Sequence, residues 1–168
     1  MRIPDETALW LQDLLLGYAG ECWGMADFVC GEPHLVPQHA EARWQLGVDT
    51  VYRTVTCNLV EVEGLAGFPD LASFFDAIRT LGPDDDSGAR SSGGKYAYTG
   101  PDLWNATQIC GTKGLTQLVS AHFPPAGEIR RTLNPNFITA LEKIFTEKGV
   151  AWSEKPPLPI IPASAAAQ

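Results

Sequence analysis

The sequence predicts an α+β fold, a mainly helical single domain with a few short antiparallel strands. Three observations carry this. Apolar residues recur at helical spacing in several stretches, most clearly over 70–81. Leu59-Val60-Glu61-Val62-Glu63 alternates apolar and charged, as a strand with one wet face does. The 16 Gly and 13 Pro among 168 residues cut the chain into short units joined by turns. A chain of this length, 45% apolar, can bury a core without metals or disulfides.

The elements follow in order. Leu11, Leu14, Leu15 and Tyr18 form the buried stripe of a first helix that Asp5 or Thr7 can cap, with Gly17 and Gly20 as its exit. A shorter helix is expected over 22–29, ended by Gly31 and Pro33. A longer one covers about 38–58, with Trp44, Val48, Val51 or Tyr52, and Val55 on one stripe; its β-branched content leaves some of it open to strand. After the 59–63 strand, Gly64 and Gly67 close the unit. Asp70 caps a helix carrying Leu71, Phe74, Phe75, Ile78 and Leu81, stopped by Gly82 and Pro83. Residues 83–94 have the composition of a mobile loop. Lys95 to Thr99 reads as a strand, and Pro101 opens a helix ahead of Leu103, Trp104 and Ile109. Leu115 to Phe123 fits helix or strand. Asn134 or Asn136 caps a final helix bearing Phe137, Leu141, Ile144 and Phe145, ended by Gly149. Val150-Ala151-Trp152 reads as a last short strand. Residues 1–154 thus form one globular domain, and the prolines of 155–168 force an extended tail.

Charge divides the chain. Residues 1–86 hold 15 Asp/Glu against 4 Lys/Arg, a net −11, whereas 87–168 hold 5 against 8, a net +3. An acidic segment, residues 1–86, therefore precedes a near-neutral to basic one, residues 95–154. Phosphate backbones would be repelled by the acidic segment, so nucleic acid is not an expected partner; a basic protein surface would be attracted. No apolar run suffices for a membrane span. Asp5, Glu6, Gln12 and Asp13 interrupt the opening, so no export signal is read. The expectation is a cytoplasmic protein whose thiols (Cys22, Cys30, Cys57, Cys110) stay reduced.

Candidate chemistry is sparse. Cys22, Cys30, His34 and His39 are zinc-ligand types spaced C-x7-C-x3-H-x4-H, but a structural knuckle needs its cysteines two to four residues apart. Residues i and i+8 on a helix lie about 12 Å apart, too far for one ion. Gly88 to Tyr96 approaches a phosphate loop, yet an extra Gly displaces Lys95 and Tyr96 stands where Ser or Thr must hold magnesium. Cys57 or Cys110 could meet His34, His39 or His122 as a nucleophile pair, with no local motif in support. No cofactor and no metal is expected.

The aromatic residues say more. Trp23 and Trp44 lie amid Glu21, Asp27, Glu32 and Glu41, an aromatic centre ringed by carboxylates that suits a basic protein partner. Glu61 and Glu63 add two carboxylates on one strand face, and Asp84, Asp85 and Asp86 a third group.

The stretch from Trp44 to Glu63, a helix followed by Asn58-Leu59-Val60-Glu61-Val62-Glu63-Gly64, resembles the last helix and first wing strand of a winged-helix unit. Asn58 stands where such units usually carry Gly, and can adopt the same left-handed turn. Small acidic bacterial proteins of this plan are similar to toxin-neutralising immunity proteins. No functional residue of the family carries over. The charge distribution and the aromatics lead to a non-enzymatic binding or inhibitor protein that occludes a basic partner, such as a toxin or nuclease, through Glu21, Trp23, Asp27, Glu32, Glu41, Glu61, Glu63, Asp84, Asp85 and Asp86. Two other readings stand beside it: a small enzyme using a Cys/His site, and a structural subunit whose proline-rich tail docks on a neighbour. The oligomeric state is open.

Overall fold

The computed structural model describes residues 2–31, 34–86, 97–124 and 132–162. Its elements are α1 (Asp5–Tyr18), β1 (Cys22–Gly24), a 3-10 turn Met25–Val29, α2 (Ala40–Thr56), β2 (Val60–Val62), a tight turn Glu63–Gly67, α3 (Leu71–Thr80), α4 (Gly100–Ala106), β3 (Gln108–Gly111), α5 (Lys113–His122) and α6 (Pro135–Glu147). The strands form one antiparallel sheet in the order β1-β3-β2. The expected fold class, α+β and mainly helical, holds. No helix among the described residues is long and apolar enough to cross a membrane.

The helix ends follow from local chemistry. The side chains of Asp70, Thr99, Thr112 and Asn134 each accept a hydrogen bond from a backbone N–H in the first turn of α3, α4, α5 and α6. For α1 the residue before the helix is Pro4, with no side-chain cap, in place of the expected Asp5 or Thr7. α2 ends in a Schellman turn: Asn58 takes φ 55°, its N–H donates to Val55 O and the Leu59 N–H to Thr54 O. Gly149 ends α6 in the same way, with the Val150 N–H on Phe145 O.

Three expected elements differ. Residues 22–29 are not a helix, because Cys22 to Gly24 extend to pair with β3, and only then does the chain coil as a 3-10 turn. Ile109 belongs not to the helix begun at Pro101 but to β3, the central strand. Val150 to Trp152 form no strand; the Val150 and Ala151 carbonyls accept from the Arg53 side chain instead. Of the expected 95–99 strand, residues 97–99 are irregular, and 95 and 96 lie outside the described residues with most of the 83–94 loop. β2 has no hairpin partner directly after it, as a wing would require. It pairs with β3 after α3 and α4 have intervened.

The core is one cluster shared by every helix and the sheet. Leu11, Leu15, Phe28, Val48, Val51, Phe74, Ile78, Leu103, Ile109, Leu115, Phe137, Leu141 and Phe145 are all fully buried. Buried indoles tie elements together by donating to main-chain carbonyls: Trp10 to Cys30, Trp44 to Ile78 and Trp104 to Leu81. Gly111 is required where β3 passes the end of α1, since a Cβ there would sit 1.8 Å from Tyr18 O.

Candidate partner-binding face

Backbone pairing sets the geometry of the face. The Gly111 N–H donates to Glu21 O and the Met25 N–H to Thr107 O, so Cys22 and Cys110 occupy a non-hydrogen-bonded position between β1 and β3. Cα atoms approach most closely at such positions. Here they are 4.0 Å apart, and the two sulfurs are joined in a disulfide. Glu61 of β2 lies opposite Cys110 on its other side. The row Cys22–Cys110–Glu61 is turned to solvent, with Cys22 and Glu61 exposed. Gln108, two residues from Cys110 on β3, is exposed on the same face, and Glu63 is exposed in the turn after β2.

The neighbouring row is Trp23, Ile109 and Val62. Ile109 and Val62 are buried, but Trp23 at the sheet edge is 52% exposed, and its indole N–H is held 3.1 Å from Gly17 O. Trp44, by contrast, is a core residue at 7% exposure, so the aromatic centre is Trp23 alone.

Because side chains alternate along a strand, Glu61 stands with the disulfide on the solvent side of the sheet, whereas Trp23 lies at the β1 edge on the side of Ile109 and Val62, next to Glu21. Asp27 follows on the 3-10 turn, exposed, with burial still raising its carboxyl above the usual range. The Tyr18 phenol, held up first by burial and then by Asp27, stays protonated and donates to Gly24 O at 2.7 Å. The ion pairs among the described residues are Arg2–Asp5, Arg53–Asp49, Arg79–Asp76 and Lys143–Glu147. None uses Glu21, Asp27, Glu41, Glu61, Glu63, Asp84 or Asp86.

Beside this face lies a groove that the sequence did not announce. Two cavities of about 410 and 290 Å³ share Cys30 and Gly31. Trp10, Leu14, Asp13 and Asp27 wall one; Trp104, Asn105, Arg43 and Asp84 wall the other. Asp84 is brought here by the turn after α3, in which the Asp85 N–H donates to Gly82 O and Asp85 O accepts from the Gly100 N–H. Asp85 is accordingly half-buried in this turn. Glu41, in the first turn of α2, and Asp86 are exposed but line neither cavity. Glu32 lies outside the described residues.

The thiol expectations change most. Cys22 and Cys110 are not reduced. With its sulfur bonded to Cys110, Cys22 cannot join Cys30, His34 and His39 around a metal, and no group of three or more such ligands forms among the described residues. Cys110 is likewise lost to the Cys/His nucleophile reading. Cys57 is buried with its Sγ toward Ile144 O, and burial pushes its thiol up to about 11, which disfavours the thiolate. His122 packs edge-on to Phe137, 6.0 Å between ring centroids.

The structure therefore defines a mainly helical α+β domain whose small sheet is pinned by a disulfide, with Glu61 exposed on its solvent side and one exposed indole at its edge. The chain matches no protein-family model, no curated protein and no solved structure.

Proposed function

We propose that this is a non-enzymatic acidic binding protein that docks on, and occludes, a basic protein surface such as the active site of a toxin or nuclease. One observation carries the reading. Trp23, half exposed at a sheet edge, lies in the chain between Glu21 and Asp27, both exposed and neither with a cationic partner among the described residues. An indole gives contact area at small entropic cost, and the surrounding carboxylates steer a cationic partner and disfavour nucleic acid. Asp27 and Asp84 extend the acidic surface into the groove, where a partner's Lys or Arg side chain would fit.

We also place its work in an oxidising compartment rather than the cytoplasm, because a disulfide between directly opposed strands persists where thiols are not kept reduced. The test is a binding screen of the immobilised oxidised protein against purified basic nuclease and toxin domains. A cognate partner should lose at least about 2 kcal/mol of affinity to Trp23→Ala, the size of an interface anchor. A partner bound equally well by the Trp23→Ala protein would show that another surface does the binding.

A further inference from the structure

The chain after α6 turns back along α2. The Arg53 guanidinium donates to the Val150 and Ala151 carbonyls and lies 4.9 Å from the Trp152 ring. Further on, the Gln45 side chain brackets the main chain at two points. Its Nε2 donates to Leu158 O at 3.0 Å, and its Oε1 accepts from the Ile160 N–H at 2.9 Å. The Ile161 N–H then donates to Arg79 O on α3 at 2.7 Å. Contacts descend α2 from Arg53 to Gln45 as tail numbers rise, so this segment runs antiparallel to the helix. Between the two anchors, 153–157 make no hydrogen bond to the rest of the described chain, and Pro156 and Pro157 have no N–H to give.

Gln45 is held in the orientation this bracket needs. Its Nε2 also donates to Asp49 Oδ1 at 3.2 Å, and Asp49 Oδ2 faces Arg53 at 3.9 Å. With the carboxylate fixing which end of the amide is the donor, Gln45 reads main-chain carbonyl and amide groups and is indifferent to the side chains between them. That is how grooves recognise extended, proline-rich peptides, whose preformed backbone loses little entropy on docking.

The groove is also longer than its occupant. Beside Leu158 an open cavity of about 460 Å³ runs between Tyr52 and Thr56 of α2 and Leu71 and Phe75 of α3. Leu71 is 41% exposed, and with Trp23 it makes up the exposed large apolar residues of the described chain. The rim is neutral, because Asp76 and Arg79 close on each other at 2.8 Å.

We propose that the α2–α3 groove is a docking site for an extended, uncharged, proline-rich segment of another protein, which residues 156–162 occupy in cis until that segment displaces them. The chemistry of the occupant is that of the tail itself, Pro-Pro-Leu-Pro-Ile-Ile-Pro. A competitor with a larger apolar side chain at the Leu158 place fills the cavity the tail leaves open, which offsets the tail's advantage of being tethered. This site is separate from the acidic face and stands or falls independently of it.

The test uses the full chain and a labelled synthetic peptide of residues 155–162 carrying Leu158→Trp, followed by fluorescence anisotropy. The peptide should bind the wild-type protein and lose at least about fivefold in affinity when the nitrogen at its Ile160 place is methylated, since that removes the N–H taken by Gln45. The full-length Ile160→Asp protein, whose own strap is weakened, should bind the peptide about tenfold tighter than wild type, because less of the groove is closed. Equal affinity for the methylated and unmethylated peptides, or no binding to either protein, overturns the proposal. So does a concentration-dependent dimer of wild type that the peptide dissociates, which would make a second copy's tail the occupant.

Discussion

At the residue scale, the least expected group is the buried Arg53–Asp49 pair. Arg53 is 0% exposed and Asp49 9%. Burial raises the Asp49 carboxyl to about 6, despite Arg53, the Gln45 amide and the Leu158 N–H, all of which favour the charged form. Burial likewise lowers the Arg53 guanidinium, against the pull of Asp49. The folded carboxyl thus holds its proton more tightly than an unfolded one. Its contribution to stability is full below about pH 4 and is lost as the pH rises through about 6. Wild-type stability, measured relative to Asp49→Asn by urea unfolding, is expected to fall by on the order of 3 kcal/mol between about pH 4 and pH 7. A difference that stays level with pH means the ion pair outweighs the burial. Nothing in the local pattern announced this pair, because Asp49 and Arg53 read as an ordinary exposed i, i+4 couple on a helix. Their burial comes from the C-terminal segment laid over them. Trp23 was read on a helix over 22–29 and takes its exposure from an edge strand instead, whereas Glu61 was legible as exposed from its alternation with Val60 and Val62. Trp44 was not, since an indole on an amphipathic helix fits a core stripe as readily as an interface.

At the element scale, helices are most legible where one segment carries both a cap and a stripe. α3 matches its expected extent almost residue for residue, with Asp70 accepting from the Ser73 N–H. α2 and α6 match nearly as well. The sheet is the least legible. β1 has 3 residues and β3 has 4, too few for alternation to register, and their pairing partners lie far away in sequence. A strand of that length is defined by its partner rather than by its own side chains. β2 was legible only because two glutamates alternate with valines. One cap also joins elements. Asn134 accepts from the Asn136 and Phe137 N–H groups and donates to His122 O, tying the start of α6 to the end of α5. Asn134→Ala should therefore cost about 1–2 kcal/mol, at the upper end for a helix cap. Asn134→Asp, which keeps the acceptor but not the donor, should recover some of that in thermal unfolding. Full loss in both variants would place the effect in the α5 link rather than the cap.

At the scale of the whole molecule, the disulfide joins residues 88 apart and holds the edge strand that carries Trp23, next to Glu21. Closing a loop of that length removes chain entropy from the unfolded state worth about 4–5 kcal/mol. The paired Cys22→Ser and Cys110→Ser variant should lose stability on that order in denaturant unfolding, and reductant should shift the wild type similarly while leaving the variant unmoved. An identical midpoint with and without reductant would mean the pin contributes nothing. The charge asymmetry of the sequence survives folding to a degree. Glu61 stands on the solvent side of the sheet, Glu21 and Glu63 flank its strands, and the groove holds Asp27 and Asp84, while Glu41 and Asp86 line neither cavity.

If this surface captures a basic protein by electrostatic steering, the effect lies in the rate of encounter. That rate can be taken by stopped flow for a cognate basic domain across a salt series, with wild type and with Glu21→Lys, Glu61→Lys and Glu63→Lys combined. Steering requires a wild-type rate that falls steeply as salt rises, and a variant rate at least about tenfold lower at low salt that converges toward wild type at high salt. Equal rates at low salt, with both proteins folded, would mean that the carboxylates of this face do not guide the partner.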